Sequence, residues 1–241
     1  MIIHPLYVIV DAEVLAARGV GLADFARELR AAGVGLMQYR DKNGSPQEVL
    51  RGAAVLREAM AGSGCKLIMN DRADLAVLAR FDGVHVGQGD LSPEDAKAVV
   101  RGAVPPHRTE QEQDSDTTSQ NRGSDTTSQN RDVGHPIIVG VSTHNEEQVR
   151  GAAQSCADYV AIGPVFATGT KPDAAPVVGL EGVRRARALT TKPLVAIGGI
   201  TRANAASVID AGADSIAIIS ALFAPGQSVE QVARDFLAIL R

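Results

Sequence analysis

The chain has 241 residues, a formal net charge of −4 and 45% hydrophobic side chains, which is enough for one sizeable core. The mild acidity argues against a nucleic-acid surface, which needs a basic stripe, and no apolar run reaches transmembrane length. Only 3% of the residues are aromatic and Trp is absent, so the core is built from Ala, Val, Ile and Leu, as in short parallel strands covered by helices.

In chain order, Leu6 to Val10 reads as a first strand rather than a signal peptide, because Met1 to Val10 lacks a basic start and a small-residue cleavage site. Ala23 to Ala32 has helical spacing and stops at Gly33. A second strand, Gly33 to Met37, runs into Gln38-Tyr39-Arg40-Asp41-Lys42. Alternation along a strand puts Gln38, Arg40 and Lys42 on one face and Tyr39 and Asp41 on the other. Ser45-Pro46 with Glu48 starts a helix that runs to about Met60. Lys66 to Met69 is a third strand ending at Asn70-Asp71-Arg72, followed by a helix from Asp74 to Ala79. Gly83 to Val86 is a fourth strand ending at Gly87-Gln88-Gly89-Asp90, and Ser92-Pro93 repeats the Ser-Pro helix start.

Residues 105–135 break the pattern. They are almost without apolar side chains, and Ser115 to Arg122 is repeated as Ser124 to Arg131. Such a segment buries too little to offset its ordering entropy, so disorder is expected for this insertion before strand five. Regular alternation then resumes. Strands are expected at Ile137 to Val141, Tyr159 to Ile162, Leu194 to Ile197 and Ser215 to Ile219, with helices between them and a last helix from Val229 to Leu240 behind a Ser228-x-x-Gln231 start. Eight strand–helix alternations without a dinucleotide-binding glycine motif predict an α/β chain folded as a single (β/α)8 TIM barrel over residues 1–241.

In such a barrel the C-terminal strand ends share one mouth. Arg40 and Lys42 there suit phosphate oxygens. Asp71 and Asp90, on adjacent strand ends, suit a hard cation such as Mg2+, although either could instead cap a helix. Gly198-Gly199 and Ile219-Ser220 fall where barrels of this kind hold a phosphate. The loop Gly163 to Pro172 is long enough to serve function, and it offers Thr168, Thr170 and Lys171. His85 and His144 sit near strand ends, where a structural role is the commoner one. Cys65 and Cys156 lack metal or redox spacing, so a reduced, cytoplasmic chain is expected.

Taken together, Gln38-Tyr-Arg-Asp-Lys42, Ile68-Met-Asn70-Asp71-Arg72, Gly83-Val-His-Val-Gly-Gln88-Gly-Asp90, Gly140-Val-Ser142, Gly163-Pro-Val-Phe-Ala-Thr168-Gly169-Thr170-Lys171, Gly198-Gly199-Ile200 and Ile219-Ser220 resemble the thiamine-phosphate synthase family. The resemblance spans nearly the whole chain outside residues 105–135. It implies a transferase that joins 4-amino-2-methyl-5-(diphosphooxymethyl)pyrimidine to a thiazole monophosphate, releasing pyrophosphate, by a dissociative Mg2+-assisted substitution. It further implies that Gln38, Arg40, Lys42 and Asn70 hold the pyrimidine diphosphate, within a substrate-binding stretch that includes Tyr39 and Asp41. Asp71 and Asp90 would bind Mg2+, and Ser142 and Lys171 would add diphosphate contacts. Thr168, Gly169, Thr170, Gly199, Ile219 and Ser220 would hold the thiazole phosphate. Arg40, Lys42 and Lys171 would be the groups acting on the leaving diphosphate. Gly169 stands where many members have proline, which makes the loop more mobile. The partners implied are small phosphorylated molecules, with no nucleic acid and no membrane; a homo-oligomer is compatible with the sequence. The competing readings are a thiazole tautomerase-like isomerase on the same barrel and a non-catalytic thiamine-phosphate binding protein.

Overall fold

A computed structural model describes residues 3–102, 137–169 and 175–241. The expected disorder of residues 105–135 therefore lies outside the described residues, as do Thr170 and Lys171.

Eight parallel strands close into a barrel in sequence order, as the alternation predicted. They are β1 (Leu6–Asp11), β2 (Leu36–Arg40), β3 (Lys66–Asn70), β4 (Gly83–Val86), β5 (Ile138–Thr143), β6 (Tyr159–Ile162), β7 (Leu194–Ile197) and β8 (Ser215–Ile218). The helices are α1 (Ala12–Ala17), α2 (Leu22–Ala32), α3 (Pro46–Ala59), α4 (Ala73–Leu78), α5 (Pro93–Val100), α6 (Glu146–Gln154), α7 (Gly179–Leu189), α8 (Ala205–Asp210) and α9 (Val229–Ile239).

Period-two alternation divides each strand between two cores. Val8, Val10, Met37, Met69, Val84 and Val160 pack outward under the helices. Tyr7, Ile9, Leu36, Ile68, Tyr159, Ala161, Val195 and Ala217 fill the barrel itself. The helix starts follow the sequence signals. The Ser45 hydroxyl and the Glu48 carboxylate form a reciprocal capping box, and Ser92 and Ser228 accept from the Asp95 and Gln231 amides. Gly33 ends α2 in the left-handed conformation at φ 83°, as its C-terminal placement predicted.

The base of the barrel is tied by a recurring device. Asp82, Asp158 and Asp214 each accept from one amide near the start of a neighbouring strand, at Leu67, Val139 and Leu194, and each also pairs with a cation, Lys66, Lys97 and Arg187 respectively. α5 ends and β5 begins at this base, opposite the mouth.

Helix α1 has no counterpart among the sequence expectations. Its signal was present: Asp11 is a favoured N-cap, Glu13 lies in the first turn, and Asp11 Oδ1 accepts from the Val14 amide at 3.1 Å.

Candidate active site

The inward face of β2 carries Gln38 and Arg40, and Lys42 follows just beyond the strand. Gln38 is buried, and its amide nitrogen donates to the Tyr7 hydroxyl at 2.8 Å. Arg40 pairs with Asp11, the residue beside it in register on β1, at 2.5 Å. Asp11 is only 3% exposed and the Arg40 side chain 16%, so this ion pair is largely withdrawn from water. Arg40 Nε is buried and makes no hydrogen bond. The guanidinium is thus anchored through Nη1 and keeps donors for a ligand.

Lys42 reaches across to Asp71 at 2.9 Å. Asp71 follows Asn70 at the end of β3 and takes a left-handed backbone, φ 60°, while its amide donates to the His85 carbonyl at 2.8 Å. That conformation is uncommon for a residue other than glycine. It redirects the chain at the mouth. The cap roles open to both acids are not the ones they fill. Arg72 occupies the N-cap position of α4 without a side-chain bond to the helix's first amides, and Ser92 caps α5. Asp90 instead accepts from the Gly87 amide at 2.8 Å and lies beside Asp71. Burial, and then the neighbouring Asp71, hold the Asp90 carboxyl above the usual carboxylate range, while Lys42 works the other way. Two carboxylates held together in this manner are a donor set suited to a hard divalent cation, which needs only one or two from the protein when phosphates complete its shell. Among the described residues no group of three or more His, Cys, Asp or Glu could hold a metal.

Tyr39 and Asp41, expected among the substrate-binding residues, are turned the other way by the alternation. Tyr39 is buried against α3, where its hydroxyl lies 2.1 Å from the point a Cβ on Gly52 would occupy. Its phenol is pushed up to about 12, by burial first and then by the Asp41 charge. Asp41 accepts from the Gly44 amide at 2.8 Å and shapes the turn after β2. These two residues support the strand end; the structure does not bring them to the ligand side.

The other arc of the mouth is a cavity of about 850 Å³. Ser142, Thr168, Gly169, Gly199, Ile219 and Ser220 all line it, so every described residue expected to hold the second phosphate, together with Ser142, meets there. Gly198 and Gly199 have φ 101° and 65°. A Cβ on Gly199 would come within 2.5 Å of the Ala167 carbonyl, so glycine alone lets the loop after β6 lie against the end of β7. A short 3-10 turn, Ser220–Leu222, begins directly after β8 on the same wall. At Gly169 a Cβ would meet nothing within 4 Å, so sterics do not demand glycine there.

Sequence reasoning overlooked Asp11, Tyr7, Tyr159 and Arg18. Arg18 lies just past α1, lines the cavity and rests over the Phe223 ring at 4.6 Å. His85 and His144 both hydrogen-bond within the barrel. His85 bonds Tyr159 and Ser142 at 2.8 Å each, and His144 Nδ1 lies 2.6 Å from the Gly163 carbonyl.

The profile of a family described as thiamine monophosphate synthase matches residues 6–104 and 121–222. The chain is similar to a thiamine-phosphate synthase of Koribacter versatilis, 46% identical over 98% of this chain and 95% of that one. It is similar to another of Chloroflexus aurantiacus, 36% identical over 98% and 92%. Among solved structures, a thiamine phosphate pyrophosphorylase from Pyrococcus furiosus superposes with a TM-score of 0.74 at 29% identity, covering 98% of this chain and 94% of that one. A 3-hexulose-6-phosphate synthase at 17% identity and a TM-score of 0.59 shares the fold alone.

Proposed function

The chain belongs to the thiamine monophosphate synthase family, whose members are transferases, and from that premise we propose that it condenses an aminopyrimidine methyl diphosphate with a thiazole monophosphate to give thiamine phosphate and pyrophosphate. The observation that carries this reading is the division of one mouth into two arcs, each offering groups suited to an anion. Arg40, Lys42, Asp71 and Asp90 lie along β2 to β4, and the cavity of Thr168, Gly199, Ile219 and Ser220 lies along β6 to β8.

In this reading Gln38 and Asn70 orient the pyrimidine, and Arg40 and Lys42 draw charge from the diphosphate as its bond to the methylene carbon breaks. Ser142 adds a hydrogen bond, and Lys171 supplies a further cation from the loop after β6. Asp71 and Asp90 would hold Mg2+, which when bound neutralises the leaving diphosphate. The thiazole phosphate is held by Thr168, Thr170, Gly199, Ile219 and Ser220, so that the thiazole nitrogen faces the methylene carbon. A dissociative substitution needs charge stabilisation, alignment and exclusion of water rather than a nucleophile triad. The site fits that requirement: His85 and His144 are engaged in structural hydrogen bonds. A thiazole tautomerase would have no use for paired carboxylates beside Arg40 and Lys42.

Arg40→Ala tests the assignment. The expected result is a folded protein with little turnover and a weakened affinity for the pyrimidine diphosphate. Wild-type kinetics in that variant would remove Arg40 from the reaction.

A further inference from the structure

A line of hydrogen bonds crosses the barrel interior beneath the mouth. Gln38 Nε2 donates to Tyr7 Oη at 2.8 Å, and Tyr7 Oη lies 2.9 Å from Tyr159 Oη. Tyr159 Oη lies 2.8 Å from His85 Nδ1, and His85 Nε2 lies 2.8 Å from Ser142 Oγ. The side chains come from β2, β1, β6, β4 and β5, so the line spans the barrel. The sequence provides room for it at Gly140, where a Cβ would fall 2.0 Å from the Tyr159 ring. The rings also brace one another: Tyr7 meets Tyr159 edge-on at 6.0 Å, and His85 stacks on Tyr159 at 5.5 Å. Burial raises both phenols far above neutrality, so both stay protonated.

With the Gln38 amide nitrogen on Tyr7 Oη, counting donors sets the direction of the line. Buried hydroxyls are costly to leave without an acceptor. Tyr7 receives the Gln38 amide proton, so its own proton goes to Tyr159. Tyr159 then donates to His85 Nδ1, which leaves the imidazole proton on Nε2, donated to Ser142 Oγ. Ser142 in turn has its hydroxyl proton to give, and it lines the cavity. At the other end Gln38 has its carbonyl oxygen to offer. Turning the Gln38 amide over would reverse every step, place the imidazole proton on Nδ1 and commit the Ser142 proton to His85.

We propose that this line of bonds fixes the polarity of the two groups at its ends, so that Gln38 accepts from an amino group of one substrate and Ser142 donates to an anionic oxygen. Tyr7, Tyr159 and His85 are then positioning residues. The inference rests on the assignment of Gln38 and Ser142 to the pyrimidine diphosphate, and it deepens that assignment by making recognition depend also on Tyr7, Tyr159 and His85, which are buried beneath the mouth.

The test is 15N NMR of histidine-labelled full-length protein, with the His85 signal identified by its loss in His85→Gln, alongside steady-state kinetics. The wild type should show a single Nε2–H tautomer at His85. Tyr159→Phe removes the donor to Nδ1; it should mix the tautomers and raise the KM for the pyrimidine diphosphate about tenfold, the worth of one charge-assisted hydrogen bond. The KM for the thiazole phosphate should hold. Tyr7→Phe cuts the line one step earlier and should give the same pattern, which keeps the test alive if one variant folds poorly. An Nδ1–H tautomer in the wild type would overturn the proposal, and so would a tautomer change with no change in KM. Ser142→Ala with wild-type kinetics would instead strike at the assigned substrate role, whichever tautomer His85 shows.

Discussion

Asp11→Asn isolates one interaction at the rim. The change keeps the size of the side chain and an oxygen to cap α1, but it turns an amide toward Arg40 Nη1 in place of a carboxylate. Removing one member of a buried ion pair costs about 3–5 kcal/mol. Arg40 is 16% exposed and part of its charge reaches solvent, so the expected loss is smaller, about 2 kcal/mol. For a domain of this size that is a drop of roughly 4–8 °C in Tm. Thermal and urea unfolding of Asp11→Asn, Arg40→Met and the double variant would measure it. The double variant, with neither charge, should recover most of the stability lost by either single change. The same substitution frees the guanidinium to turn, so the KM for the diphosphate substrate should rise as well. The reasoning is refuted if Asp11→Asn lies within about 0.5 kcal/mol of wild type, the range of an ordinary surface change, or if the two losses simply add.

Gly199→Ala places a Cβ 2.5 Å from the Ala167 carbonyl on a backbone at φ 65°; it should raise the KM for the thiazole phosphate far more than that for the diphosphate, as read in steady-state assays. Asp90, whose carboxyl is raised, favours folding when protonated. Its contribution to stability is therefore present in acid and lost as pH rises through its raised value, leaving Asp90 charged beside Asp71 at neutral pH. Added Mg2+ should raise Tm at pH 7, lose that effect as Asp90 protonates, and do little for Asp90→Asn. Deleting about residues 106–134, between α5 and the start of β5, should leave kcat nearly unchanged, since the mouth lies at the opposite end of the strands.

The barrel and most of its rim are legible because each candidate group is local to a strand end. Gln38, Arg40 and Lys42 were separated from Tyr39 and Asp41 by alternation alone, and the structure turns them as that alternation requires. The inclusion of Tyr39 and Asp41 among the ligand contacts came from treating the motif as a unit, where the period of the strand splits it. Asp11 was hidden for a different reason. Its partner is 29 residues away and is fixed only by the β1–β2 register, which the chain does not spell out locally. The Tyr7–Tyr159 contact, across 152 residues and between strands that are not neighbours, depends on closure of the barrel and on the space left by Gly140. Local patterns carry the elements and their ends; the partners across the interior emerge only when the sheet closes.

The most direct measurement of the central claim is incubation of the purified chain with both phosphorylated substrates, with and without Mg2+, following thiamine phosphate and pyrophosphate together. The account predicts equal amounts of the two products with Mg2+ present and little of either in excess chelator. Full turnover in chelator, or isomerisation of the thiazole with no pyrophosphate released, would contradict it.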